Sequence, residues 1–398
     1  MQKYLILCFP VILFLCSSSV FAQKGISEHI SEQNSDTLFI QEKDKVAPTF
    51  FQNLFSGNLN WNFVVTPLVS YQPETSWAFG VAGAYYIKTE KKEGRTGVIG
   101  FNTAYTLKKQ FNFNITSTVY FGKNQKWFLY ANGGYKHYPD NFYGVGNVYE
   151  NLLLDTNNNL APVPYNSNNF YLTLQPQRYV FGNWILGLNM ALRWENIKGL
   201  DKNFEQHYAI KGLDNYLMAG IGGVLSYDSR NNFFYPSKGM FFKSVIAHYE
   251  PILGSSYRMM KAQIDFRQYL TLYKEFIFAY QFISEWTIGQ DKPFQMLSTI
   301  GGTDILRGIR EKVWRDDVMA TMQTELRIPV WKIFRASVFC GIGDVYSLKR
   351  WEFTTPKIAY GVGLRVQFNK SKANLRIDVA KQNYNKDFAF YITVNEAF

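Results

Sequence analysis

The chain has 398 residues, a formal net charge of +11 and a pI of about 9.2, with aromatic side chains at 18% and a mean hydropathy of −0.19. Beyond the N-terminal leader no stretch approaches the roughly 18 consecutive apolar residues of a membrane-spanning helix, so any crossing of a bilayer has to be made by strands. In an exported chain the basic balance points to a basic lumen or to anionic lipid head groups, and away from nucleic acid.

Residues 1–22 read as a secretory signal: Lys3 is the only charge before the apolar run Tyr4 to Phe14, and Val20-Phe21-Ala22 offers a small-residue cleavage site before Gln23. Cys16 invites lipidation, but Leu15 stands where a lipobox carries a small residue, so ordinary cleavage is expected. Cys8 and Cys16 then leave with the signal, Cys340 stays single, and no intrachain disulfide forms. Residues 23–62 are polar and aperiodic, and are expected to be a short periplasmic tail.

From residue 63 to residue 398 alternation takes over. Strands are expected near 63–71, 76–88, 96–107, 111–121, 125–138, 167–177, 182–195, 215–227, 238–249, 256–269, 274–287, 317–328, 333–344, 357–368, 372–381 and 387–398. In 184–195, Leu186, Leu188, Met190 and Leu192 oppose Asn189, Arg193 and Glu195; in 357–368, Ile358, Tyr360, Val362 and Leu364 oppose Lys357, Arg365 and Gln367. Charges confined to one parity put that parity in water and the other in lipid, and the excess of aromatics suits girdles at the membrane interfaces. The expected fold is all-β, a transmembrane antiparallel β-barrel of about 16 strands in the outer membrane of a Gram-negative cell, monomeric and surrounded by outer-membrane lipid.

Connections alternate in length. Those at 139–166, 196–214, 288–316 and 345–356 are long and read as outer loops; those at 122–124, 178–181, 270–273 and 329–332 are short and read as periplasmic turns, with 228–237 a longer turn on the same side. The last strand is expected to run to the final residue with Phe388, Phe390, Ile392, Val394, Glu396 and Phe398 on the lipid parity; Phe390 and Phe398 read as a C-terminal barrel signal.

Three patches exceed generic barrel grammar: Asp228-Ser229-Arg230 followed by Pro236-Ser237-Lys238-Gly239; Gly301-Gly302-Thr303-Asp304-Ile305-Leu306-Arg307-Gly308; and Glu325-Leu326-Arg327-Ile328-Pro329. In the first, Pro236 fixes φ, Gly239 can take a conformation other residues avoid, and Asp228 and Arg230 can pair; an ordinary strand connector is the other reading. In the second, the glycines allow a tight tip that threads a narrow space. Gln323, Glu325 and Arg327 share the polar parity, so Glu325 is a wall partner for Arg307, the alternative being a solvated outer-loop arginine. The four histidines, His29, His137, His207 and His248, have no ligand spacing, and no metal, cofactor or catalytic constellation is expected.

In these patches the chain resembles the BamA/TamA family of the outer-membrane protein 85 superfamily, which shows an Asp-x-Arg…Pro-x-x-Gly turn, a Gly-Gly-x-x-x-x-Arg-Gly loop and a Glu-Leu-Arg-x-Pro strand in the same order. The opening Pro67 to Thr75 is similar to the family's first hairpin, so the resemblance covers 63–398. It implies a loop folded into the lumen with Arg307 on the wall, and a seam between the first and last strands that opens to template client strands. It further implies a non-enzymatic role in insertion, assembly or translocation of proteins or envelope components. The partners implied are client outer-membrane or secreted proteins, and separate periplasmic accessory proteins. Two departures stand out. Gly341 occupies the place where the family usually carries an acidic residue before the next glycine, Gly343, and residues 23–62 are too short for the family's periplasmic POTRA modules. The alternative function is a passive porin-like channel with a loop plug.

Overall fold

Side chains that alternate between lipid and water cannot close a soluble core, so the strands close on each other. The computed structural model describes residues 63–87, 95–157, 159–349, 355–367, 372–384 and 387–398; the expected signal at 1–22 and tail at 23–62 lie outside the described residues. The chain forms β1 (Phe63–Gln72), β2 (Ser76–Ile87), β3 (Gly97–Thr106), β4 (Phe111–Phe121), β5 (Trp127–Phe142), β6 (Val163–Tyr179), β7 (Trp184–Lys198), β8 (Asn215–Asp228), β9 (Gly239–Tyr249), β10 (Met259–Tyr273) and β11 (Phe276–Gly289). A long loop carrying β12 (Ser298–Thr299) and β13 (Arg315–Asp316) follows, then β14 (Val318–Trp331), β15 (Phe334–Tyr346), β16 (Lys357–Gln367), β17 (Asn374–Gln382) and β18 (Phe388–Val394).

β1–β11 and β14–β18 make one closed antiparallel barrel of sixteen strands, each beside its chain neighbour, with β11 joined to β14 and β18 to β1. Every expected strand is present. Leu188 and Val362 point outward with more than half their surface uncovered, while Asn189, Glu195, Lys357 and Arg365 point inward and are buried. This is the inside-out arrangement a bilayer imposes.

Two differences from the sequence reading follow from physics that alternation does not show. The outer loop expected at 139–166 is shorter, because β5 and β6 go on pairing as far as Phe142 and Val163, with Pro139 opposite Asn166 and Pro164 opposite Asn141. The last strand stops at Val394 instead of running to the final residue. Asn395 takes a left-handed φ of 70° and turns the remaining residues into the lumen, so Glu396 and Phe398 are buried inside, not lipid-facing, while Phe390 does face outward. A carboxylate on the lipid parity would be costly. The turn takes Glu396 to Arg365 at 3.0 Å instead, and sets the Phe398 ring among Tyr269, Ala279 and Ala397.

The apolar core lies inside, where long-rim loops pack on the wall. Residues 290–317 descend into the lumen, and Ile300, Leu306, Ile309 and Trp314 pack with Ile283 and Met319 of the wall and with Tyr143 and Leu152 of the β5–β6 loop. Phe294 and Leu297 join a second cluster with Phe142, Tyr165 and Ile197. The β12–β13 ribbon forms the stem of this loop, and Gly146 donates to the Arg315 carbonyl across it at 2.9 Å.

Candidate functional site

The loop tip is shaped by glycine. Gly301, Gly302 and Gly308 have φ values of +105°, +91° and +102°. At Gly308 a Cβ would also lie 3.1 Å from the Cβ atoms of both Ala359 and Ala380, so only glycine lets the tip lie on β16 and β17. The next residue inward is Arg307, fully buried.

Arg307 Nη1 lies 2.7 Å from Glu325 Oε2 and 2.9 Å from Asp378 Oδ2, and the guanidinium stacks 3.7 Å from the centroid of Phe339. Its Nε and Nη2 have no hydrogen-bond partner among the described residues. The place of a family carboxylate at 341 is closed off: a Cβ on Gly341 would meet Leu306 Cδ1 at 2.6 Å. Asp378, two strands away on β17, is the second carboxylate on this arginine, whereas Asp344 bonds Lys357 at 2.6 Å.

Around Arg307 the inward parities of β14, β16 and β17 build a charge cluster. Glu325 also holds Arg327 at 2.8 Å and Arg365 at 2.9 Å; Asp378 holds Arg365 at 2.5 Å and Arg376 at 3.4 Å; Arg376 reaches Asp304 on the loop at 3.2 Å. With Glu396 beside Arg365, four arginines meet four carboxylates, so the cluster is neutral and tightly cross-bonded. Buried charges survive only under such pairing.

The short-turn rim closes on the same cluster. In the β8–β9 turn Arg230 grips Asp228 with bonds of 2.9 and 2.6 Å and stacks on Phe233 and Phe241. Asn232 Oδ1 accepts from the amides of Phe234 and Tyr235, and Gly239 at φ +96° sits where a Cβ would be 2.1 Å from the Ser229 carbonyl. The turn thus shaped pushes Phe234 against Ala373 and Val394 of the opposite wall and presents the Pro236 carbonyl to Arg327 Nη1 at 3.0 Å. Arg327 Nη2 donates to the main-chain oxygen of Phe398 at 2.8 Å. The turn (Pro236), the strand (Glu325, Arg327), the loop (Arg307) and the chain end (Phe398) therefore meet within one bonded cluster. The sequence reading reaches the Arg307–Glu325 and Asp228–Arg230 pairings. In sequence Arg327 stands out within its motif, while Arg365, Arg376 and Asp378 show only as charges that alternate with apolar neighbours on a water-facing parity.

The loop also spans the barrel's closure. β1 and β18 share a single paired position, Tyr71 with Ile392, whereas β1 and β2 share ten and β17 and β18 seven. On the β18 side the Gly308 amide donates to the Tyr391 hydroxyl at 3.0 Å; on the β1 side the Glu311 amide donates to Glu74 Oε1 in the β1–β2 turn, also at 3.0 Å. Burial raises the Glu74 carboxyl above its ordinary value, against the lowering pull of the Glu311 amide, and its Oε2 has no partner. A raised carboxylate favours the proton in the folded state. Its charge therefore opposes this brace at neutral pH, and the cost fades as pH falls through the folded value. Glu74→Gln keeps the acceptor and drops the charge. It should raise the temperature at which the folded barrel loses its compact gel mobility at neutral pH, with the gain over wild type shrinking in acid; a gain that is flat with pH would show that the charge is not the cause.

A family model, the Omp85 superfamily domain, matches residues 93–398. Among solved structures the chain is similar to BamA from Haemophilus ducreyi lacking POTRA domains 1–3, at 14% identity and a TM-score of 0.61, over 84% of this chain and 70% of that one. It is also similar to CdiB from Acinetobacter baumannii (11% identity, TM-score 0.51) and from Escherichia coli (10%, 0.53), over 84% of this chain but only 59% and 63% of theirs. No curated protein matches it.

Proposed function

This chain belongs to the Omp85 superfamily, and from that membership and the braced seam we propose that it handles its clients at the junction of β1 and β18. It is a Gram-negative outer-membrane barrel of the protein insertion and translocation class. The carrying observation is the closure through one paired position, Tyr71 with Ile392. A closure this short parts more readily than the rest of the wall, and the strand edge exposed on parting recruits another strand. Clients are then outer-membrane or secreted polypeptides offered as strands, delivered by separate periplasmic proteins. Asp228, Arg230, Pro236 and Gly239 shape the turn that braces β18 from the periplasmic rim. The loop motif Gly301, Gly302, Arg307 and Gly308 holds the lumen side of the seam with Glu325 as anchor, and the inward-turned Phe398 fixes the end of the chain while Phe390 stays in lipid. A loop buried this completely against the wall also favours seam chemistry over a wide solute pore.

A cross-link across the seam tests this. Carried two residues along each strand, the register that sets Tyr71 opposite Ile392 brings Val69 toward Val394. In a chain whose exposed Cys340 is replaced by Ser, Val69→Cys with Val394→Cys should abolish client insertion or export when oxidised and recover it on reduction. A lock at Val362 and Val379, paired within the continuous wall, should leave it intact. Full activity with the Val69–Val394 bond closed would refute the seam mechanism.

A further inference from the structure

The descending loop packs on one side of the lumen. On the other side the inner faces of β5–β7 and β9–β11 border two adjoining cavities of about 310 and 360 Å³. Lys261 and Glu285, paired at 2.8 Å, line both. Each volume falls in the range of roughly 300–1,000 Å³ usual for small-molecule sites.

Six cations line the two cavities (Lys136, Arg193, Lys243, Lys261, Lys312 and Arg315) against three acids, Asp140, Glu285 and Glu311. Lys312 is matched by Asp140 at 2.9 Å and Arg193 by Glu195 at 2.6 Å. Lys136, Lys243 and Arg315 have no ion-pair partner among the described residues. Asp265, across from Lys243, is taken by Arg267 at 2.6 Å. Arg315 is only 1% exposed; its terminal nitrogens reach the carbonyls of Phe294 and Lys312, but its Nε has no acceptor. A buried donor left unmade is costly, and an entering anion would satisfy it. Lys136 and Lys243 each lie over a tyrosine ring, Tyr171 at 5.3 Å and Tyr130 at 5.6 Å. The wall between is neutral and polar: Asn132, Thr173, Gln175, Asn189 and Gln263. Amides of that kind both donate and accept, which suits hydroxyl groups.

We propose that this chamber binds a sugar-sized, hydroxyl-rich ligand bearing an anionic group, with the anion at the Lys136–Arg315 end and the body along the amide wall toward Lys243. The chamber shares Glu311 with the brace on β1 but no residue with β1, β18 or the Arg307 cluster, so failure to bind here leaves the insertion mechanism untouched.

Titration of trehalose phosphate into the purified full-length barrel in detergent tests it, with trehalose and inorganic phosphate in parallel. Saturable binding is expected at least about tenfold tighter than that of phosphate, with none for trehalose. Lys136→Gln with Lys243→Gln should weaken it at least about tenfold, and Lys136→Arg with Lys243→Arg should retain it. Equal affinity for inorganic phosphate would overturn the hydroxyl-rich body; no saturable binding, or full binding by the Gln pair, would overturn the site. If the Gln pair fails to fold, salt decides on the wild-type protein: binding indifferent to added salt would overturn a site built on these cations.

Discussion

Glu325→Gln should be the most damaging single change in the barrel interior, with an expected loss of about 3–5 kcal/mol, the cost of leaving buried charges without their counter-ion. Glu325 is the shared acceptor of Arg307, Arg327 and Arg365, and its replacement leaves the four arginines of the cluster against three carboxylates, an excess positive charge in a region closed to water. Arg307→Ala should cost less, about 1–3 kcal/mol. Removing that side chain still leaves Glu325 paired with Arg327 and Arg365, and Asp378 paired with Arg365 and Arg376. The order matters because a loop simply pinned by one salt bridge would respond equally to loss of either partner. Urea unfolding of the barrel in lipid vesicles gives both values, and an Arg307→Ala loss as large as that of Glu325→Gln would contradict the shared-acceptor arrangement.

The same asymmetry explains how far sequence reasoning reached. Alternation is a local property with period two, and it located all sixteen strands because each is wetted on one face and greasy on the other. It also placed Glu325 on the inward parity, and the glycines flanking Arg307 marked a tip able to reach it. Parity cannot tell which strands face each other across a lumen, however. Asp378 and Arg365 were seen as inward charges, but their meeting with Arg307 depends on strand tilt and on where the loop descends. Alternation also failed at the chain end, where one left-handed residue, Asn395, reverses the assignment of everything after it. A warning was present in Glu396: a carboxylate on a lipid-facing parity has to be turned somewhere else.

The loop and the seam act as one mechanical unit. The amides of Gly308 and Glu311, three residues apart, bond opposite sides of the β1–β18 junction, so the loop cannot withdraw without loosening both. Opening of the seam is thus coupled to the cluster beneath the loop tip, and the β8–β9 turn, which packs Phe234 on Val394, extends that coupling to the other rim. A barrel held shut by backbone pairing alone would not need bracing from both ends. One closed through a single pair does, and its braces are polar contacts that can break and reform one at a time.

Arg327 is where the two braces join, and Arg327→Lys should be nearly as harmful as Arg327→Ala. The guanidinium uses Nε for Glu325, Nη1 for the Pro236 carbonyl and Nη2 for the main-chain oxygen of Phe398, three acceptors in three directions. A lysine is a compact point charge on a flexible stem and cannot span that fork. It could stay beside Glu325, but the two main-chain oxygens would lose their donor in a buried place, an expected loss of about 1–3 kcal/mol for each group. Phe398→Ala should cost about 3–5 kcal/mol through the vacated space beside Tyr269 and Ala279. Because Arg327 fixes the main-chain oxygen of the same residue, the two changes should be less than additive. Unfolding of both single variants and the double gives the coupling. Near-wild-type stability of Arg327→Lys, or strict additivity with Phe398→Ala, would mean that the chain end and the β8–β9 turn are held independently.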